Sequence, residues 1–167
     1  MKKVFLTIAL LFVSFVIGFA QSAGFQVISG HPDFKIKVQR CESSGSICVI
    51  DLILENVGGN DVNIGFLSAN TVAYDDEANQ YHAYISLNGK ALRDSYEKAS
   101  LPAYVPIKAR IQIENLAPAA TMFRRIDMNF YCDEWRLGIG DIGWGMMNKY
   151  NKTSRLLNVP ISREGDD

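Results

Sequence analysis

From Phe34 onward, apolar and polar residues alternate with a period of two, the period of strands that bury one face. Phe34, Ile36 and Val38 alternate with Lys35, Lys37 and Gln39. A Ser/Gly-rich turn at Ser43–Ser46 follows, and then Cys48–Asn56 places Ile50, Leu52 and Leu54 on one face with Asp51 and Glu55 on the other. These runs predict a hairpin in which Val38 pairs with Ile50, Ile36 with Leu52 and Phe34 with Leu54. All six side chains then face the core.

The same reading continues along the chain. Gly58-Gly59-Asn60-Asp61 turns into a strand around Val62–Leu67, and Thr71–Tyr74 makes a short strand closed by the polar run Asp75–Asn79. Tyr81, Ala83, Ile85 and Leu87 alternate until Asn88-Gly89. Ala91–Ser100 can form one or two helical turns, and Leu101-Pro102 with Pro106 holds the chain extended. In Ile107–Glu114 the residues Ile107, Ala109, Ile111 and Ile113 face in, while Lys108, Arg110, Gln112 and Glu114 face out. Ile126, Met128, Phe130 and Cys132 share a face of Thr121–Cys132, a Gly-rich stretch covers Asp133–Asn151, and Arg155–Ile161 is the last strand. Seven or eight short strands without a long amphipathic helix predict an all-β fold, an antiparallel immunoglobulin-like β-sandwich.

The first twenty residues, MKKVFLTIALLFVSFVIGFA, break this pattern. Lys2 and Lys3 precede an apolar run from Val4 to Phe19, and Gly18 and Ala20 supply small residues ahead of Gln21, so the segment reads as a secretory signal peptide. An uncleaved anchor is the competing reading, although an apolar run of only 16 residues is near the lower limit for crossing a bilayer. The first cysteine is Cys41, so no lipid anchor is indicated, and the mature chain is expected not to span a membrane. The expected organisation is signal peptide 1–20, lead-in 21–32, sandwich domain 33–162 and frayed tail 163–167, in a protein that is periplasmic, secreted or on the cell surface.

Removing Lys2 and Lys3 from 17 basic residues leaves 15 against 18 acidic ones, a formal charge of −3. This mild acidity argues against a nucleic-acid binder, which would carry a basic stripe. The chain contains no internal repeat and no low-complexity segment.

Three stretches, Asp51–Gly58 (DLILENVG), Ala73–Tyr81 (AYDDEANQY) and Leu101–Glu114 (LPAYVPIKARIQIE) followed by Met122–Ile126, carry a resemblance. The chain resembles the small exported immunoglobulin-like sandwiches of uncharacterised function found in Gram-negative bacteria of the Bacteroides type. The resemblance spans roughly Phe34–Ile161 and implies a fold rather than an activity. It supplies no catalytic residue, and the usual glycine of the acidic hairpin is Ala78 here.

Cys41, Cys48 and Cys132 allow at most one intramolecular bridge in an exported chain. The predicted register sets Arg40 opposite Cys48 and turns Cys41 to the other face. Cys48 and Cys132 both fall on apolar faces, so a bridge between them would resemble the inter-sheet disulfide of antibody domains. A bulge in the hairpin would make Cys41 the partner instead, and a chain without any bridge is a third possibility. No metal or cofactor site is expected. His31 and His82 read as ordinary surface histidines, and Asp75, Asp76, Glu77 and Asn79 read as a turn, because they lack the every-second-residue oxygen pattern of a calcium loop.

Trp135, Trp144 and Tyr150, among glycines and beside Met146 and Met147, form the one stretch with a functional flavour. Exposed, the rings would stack on a sugar or anchor a protein; folded back, they would cap the core. The expectation is a non-catalytic binding or interaction module engaging a protein or glycan of the cell envelope. A glycan-binding accessory using the Trp135–Tyr150 loop is the alternative. A hydrolase would have to draw its carboxylates from that loop, where Asp133, Glu134 and Asp141 lie.

Overall fold

The computed structural model describes residues 24–67, 70–92, 97–132 and 151–164. Twelve strands make up these residues: β1 (Gln26–Ile28), β2 (Phe34–Ser44), β3 (Ile47–Asn56), β4 (Val62–Phe66), β5 (Val72–Asp75), β6 (Gln80–Leu87), β7 (Lys90–Leu92), β8 (Ala99–Leu101), β9 (Ile107–Ile113), β10 (Met122–Cys132), β11 (Asn151–Pro160) and β12 (Ser162–Arg163). The excess over seven or eight comes from β1, β7, β8 and β12. Each has two or three residues, too few for a period of two to register. Two of them, Lys90–Leu92 and Ala99–Leu101, are extended at the ends of the stretch expected to form helical turns, whose residues 93–96 lie outside the described residues.

The strands form one curled sheet with the order β1-β11-β10-β5-β6-β9-β3-β2-β12; β4 and β8 extend it beside β10, and β7 beside β6. Every pairing is antiparallel except that of β12 with β2. Strand β6 makes the curl, pairing through Gln80–His82 region residues with β5 and through Ala83–Leu87 with β9. The two halves therefore face each other. Phe34 of β2 meets Phe130 of β10 at a ring separation of 4.7 Å, Phe66 of β4 lies 6.3 Å from Phe130, and all three rings are fully buried.

Alternation explains why these residues are strands. In β9 the residues Ile107, Ala109, Ile111 and Ile113 are buried while Lys108 and Arg110 are exposed, and in β6 Tyr81, Ala83, Ile85 and Leu87 are buried. The hairpin β2–β3 keeps the predicted facing but not the predicted register: Val38 lies opposite Leu52, Ile36 opposite Leu54 and Phe34 opposite Asn56. A slip of two preserves the buried face, so hydrophobicity alone does not exclude it. The turn tightens to Gly45-Ser46, where Gly45 adopts φ 59°. Between Val38 and Arg40 the register shifts by one, so that Gln39 is the extra residue of a β-bulge.

The fold also reaches beyond the expected domain limits. Strand β1 lies within the lead-in and pairs with β11, while Arg163 belongs to β12 and Glu164 N–H donates to Ser43 O at 3.1 Å.

Candidate binding surface

Two corners of the sandwich are organised by a single buried polar side chain. At the first, Asn56 ends β3 and is fully buried. Its Nδ2 donates to Asn60 O at 2.8 Å and to Leu101 O at 3.2 Å, and its Oδ1 accepts from Gly58 N–H at 2.9 Å. Its backbone carbonyl accepts from Tyr104 N–H at 2.7 Å. These bonds tie the segment after β8 to the end of β3. Tyr104 takes φ 61°, a left-handed conformation that a bulky residue rarely adopts. Tyr104 is 64% exposed and Val105 46%. An aromatic and an aliphatic side chain are thus presented to solvent on a strained, fixed backbone.

Pro106, the next residue, lines a groove of about 650 Å³. The groove runs along the lateral edge where the chain crosses from β1 in one half of the curl to β2 in the other. Val27, His31, Lys35, Ile36, Lys37 and Ile53 line it as well. Among the described residues, β12 is the strand that covers the outer edge of β2, and it does so only at Glu42 and Ser43. The crossing loop is held by Gly30, whose N–H donates to Ser154 Oγ at 3.0 Å. A Cβ at Gly30 would stand 2.7 Å from Thr153 O, so only glycine lets the loop lie against β11.

His31 is therefore not a surface histidine. It is buried, with Nδ1 accepting from Asp33 N–H at 3.2 Å. Burial lowers its pKa, Asp33 opposes that shift, and Lys152 adds to it. The ring is a structural part of the loop. His82 is exposed, as expected.

At the second corner, the Asp75–Asn79 run is a turn, with Ala78 at φ 65° where a glycine is usual. Asp75 is 3% exposed and accepts four hydrogen bonds: Tyr81 OH at 2.6 Å, Asn79 Nδ2 at 2.8 Å, Asn79 N–H at 2.8 Å and Glu77 N–H at 2.9 Å. Burial works against the carboxylate, but these donors outweigh it and hold its pKa below the ordinary range. Asp76 accepts from Thr121 N–H at 3.0 Å. Both carboxylates already serve the fold. Among the described residues no group of three His, Cys, Asp or Glu side chains is placed to hold a metal ion.

The outer faces of the two halves carry matching charge clusters. Asp51 receives Arg40 Nε at 2.5 Å and Arg110 Nε at 2.8 Å, and Asp127 receives Arg125 Nε at 2.8 Å and Arg155 Nε at 3.2 Å. Each arginine is about half exposed, so these pairs shape the surface while adding little stability.

Trp135, Trp144 and Tyr150 lie outside the described residues, as do Asp133, Glu134 and Asp141. Cys41, Cys48 and Cys132 are all buried and not disulfide-bonded. The bulge at Gln39 turns Cys41 onto the core face, so it is Cys41 whose Sγ lies 3.5 Å from that of Cys48. The surface features missed from sequence are Tyr104 and Val105, whose segment, Leu101–Pro106, had shown only its prolines; the burial of Asn56 was missed as well.

No family model matches the chain, and no curated protein matches it. Among solved structures it is similar to the ASH / PapD-like domain of human CEP192 (PapD-like domain 7), with a TM-score of 0.34 and 13% identity, over 79% of this chain and 84% of that one.

Proposed function

We propose that the chain is an exported, non-catalytic interaction domain that engages a protein partner through Tyr104, Val105 and the adjoining groove. The observation that carries this reading is Tyr104 itself. A bulky residue held at positive φ is retained at a backbone cost, and such strain concentrates where a site must be shaped in advance. A rigid exposed tyrosine offers large contact area with few rotatable bonds. Export is supported by the residues of the N-terminal segment, the positive Lys2-Lys3 ahead of an apolar run and small residues at Gly18 and Ala20.

The test places a photo-crosslinking amino acid at position 104 and, as control, at the exposed Tyr84 on the outer face of β6, in cells that naturally make the protein. The expected result is a discrete protein adduct from position 104 that is absent from position 84, on a chain whose intact mass lacks residues 1–20. Equal adducts at both positions, or none at 104, would reject the surface. A mass that retains residues 1–20 would reject cleavage.

A further inference from the structure

Cys41 and Cys48 occupy adjacent strands of one hairpin and point the same way. Cys41 lies opposite Ile50 and Cys48 opposite Ser43, so the two are diagonal neighbours across the ladder. Their facing depends on the bulge: ahead of it Phe34, Ile36 and Val38 turn inward, and past it Cys41 and Ser43 do. Cys41 is 7% exposed and Cys48 fully buried. A disulfide needs its sulfurs at about 2.05 Å. From 3.5 Å, each sulfur has to move by less than ~1 Å to reach bonding distance. The hairpin already brings the two side chains together across the ladder.

From this geometry we infer that Cys41 and Cys48 are the site of a cross-strand disulfide formed by exchange with an external disulfide, and that Cys132 stays outside it. The order of attack follows from the local chemistry. Hydrogen bonding to Cys48 and burial push the Cys41 thiol well above its ordinary pKa. Cys48 moves the other way: the hydrogen bond from Cys41 favours its thiolate, burial opposes this, and the charge of Arg163 adds to it. The Cys48 thiolate attacks one sulfur of the external disulfide and expels the other as a thiolate, which takes up a proton. Cys41 then loses its proton to solvent and attacks the Cys48 sulfur, expelling the second external thiol. The protein loses two hydrogens, and one external disulfide becomes two thiols. Since Cys48 is buried in the closed sandwich, exchange takes place in an opened state that keeps the β2–β3 hairpin and its edge strand β12 formed.

The experiment uses the full-length chain as purified, refolded in a glutathione buffer containing the oxidised form. Acid quenching, counting of thiols in denaturant, intact mass and peptide mapping without reductant give the readout. The expected result is a fall from three titratable thiols to one, a mass loss of two hydrogens, and a single linked peptide joining Cys41 to Cys48. The C132S variant, which removes a thiol the bridge does not use, should give the same linked peptide with no remaining thiol. Three free thiols, a bridge that includes Cys132, or glutathione left attached as the end state would each overturn the assignment.

Discussion

The Asp75 and Asn56 corners use the same device for opposite ends. Each seats one buried polar side chain beneath a turn, and each forces a non-glycine residue into the left-handed region, Ala78 at φ 65° and Tyr104 at φ 61°. At the Asp75 corner the residue forced is small, and Asp75 and Asp76 are engaged with Tyr81, Asn79 and Thr121. At the Asn56 corner the residue forced is a tyrosine left largely in water beside an open groove. The first arrangement accounts for itself as folding. The second leaves strain and exposed apolar surface that folding does not explain, and that difference separates a structural turn from a presented surface.

The comparison breaks most readily at Asp75. Asp75→Ala removes a buried charged acceptor and strands four donors, so it should destabilise the protein by about 3 kcal/mol, read from urea titration. Asp75→Asn sharpens the assignment through pH. The folded-state pKa of Asp75 lies below its unfolded value, so its contribution is complete above an unfolded pKa of about 3.9 and is lost as pH falls through the lower, folded value. The stability gap between the wild type and Asp75→Asn should therefore be full at neutral pH and narrow below about pH 4. A gap that does not change with pH would show that the carboxylate charge is not what holds this corner.

Much of this architecture was readable from the chain, because alternation records which side chains a strand buries. Ile107 to Ile113 and Tyr81 to Leu87 gave up their inward faces directly. Alternation is silent about a slip of two, which is why the β2–β3 register was missed. It is also silent about a bulge followed by Cys41 and Ser43, whose side chains do not mark a face as leucine or isoleucine would. The acidic turn was visible from its residue types, whereas the burial of Asp75 was not. His31 read as a surface histidine but is buried, in a loop that Gly30 packs against β11, a contact more than a hundred positions away. Tyr104 was hidden for another reason: Leu101-Pro102 and Pro106 announce extended backbone, and nothing in their pattern marks the residue between them as left-handed.

A smaller effect is expected at the second corner. Asn56→Ala leaves Leu101 O, Asn60 O and Gly58 N–H without that side chain, and should cost about 2 kcal/mol in the same titration. It should also loosen the Tyr104 segment, measured as faster hydrogen exchange at Tyr104 N–H, the donor to Asn56 O. If Asn56→Ala lowers stability while exchange at Tyr104 does not change, the corner folds without positioning the tyrosine, and its likeness to the Asp75 corner becomes complete.

The smallest change tests the difference most directly. Tyr104→Gly removes an exposed side chain and lets the backbone take φ 61° without a Cβ penalty. Relief of strain favours the variant, while the extra freedom of glycine in the unfolded chain opposes it, so the midpoint of unfolding should hold or rise, with a net gain of about 0.5 kcal/mol. Ala78→Gly should behave alike in stability, because it relieves the same backbone conformation at the other corner. The two variants must then part in binding: in a pull-down of the partner that crosslinking at position 104 identifies, Tyr104→Gly should lose that partner and Ala78→Gly should keep it. Retained capture after Tyr104→Gly, with the fold intact, would show that the ring is not part of the contact and would leave its backbone strain unexplained by binding.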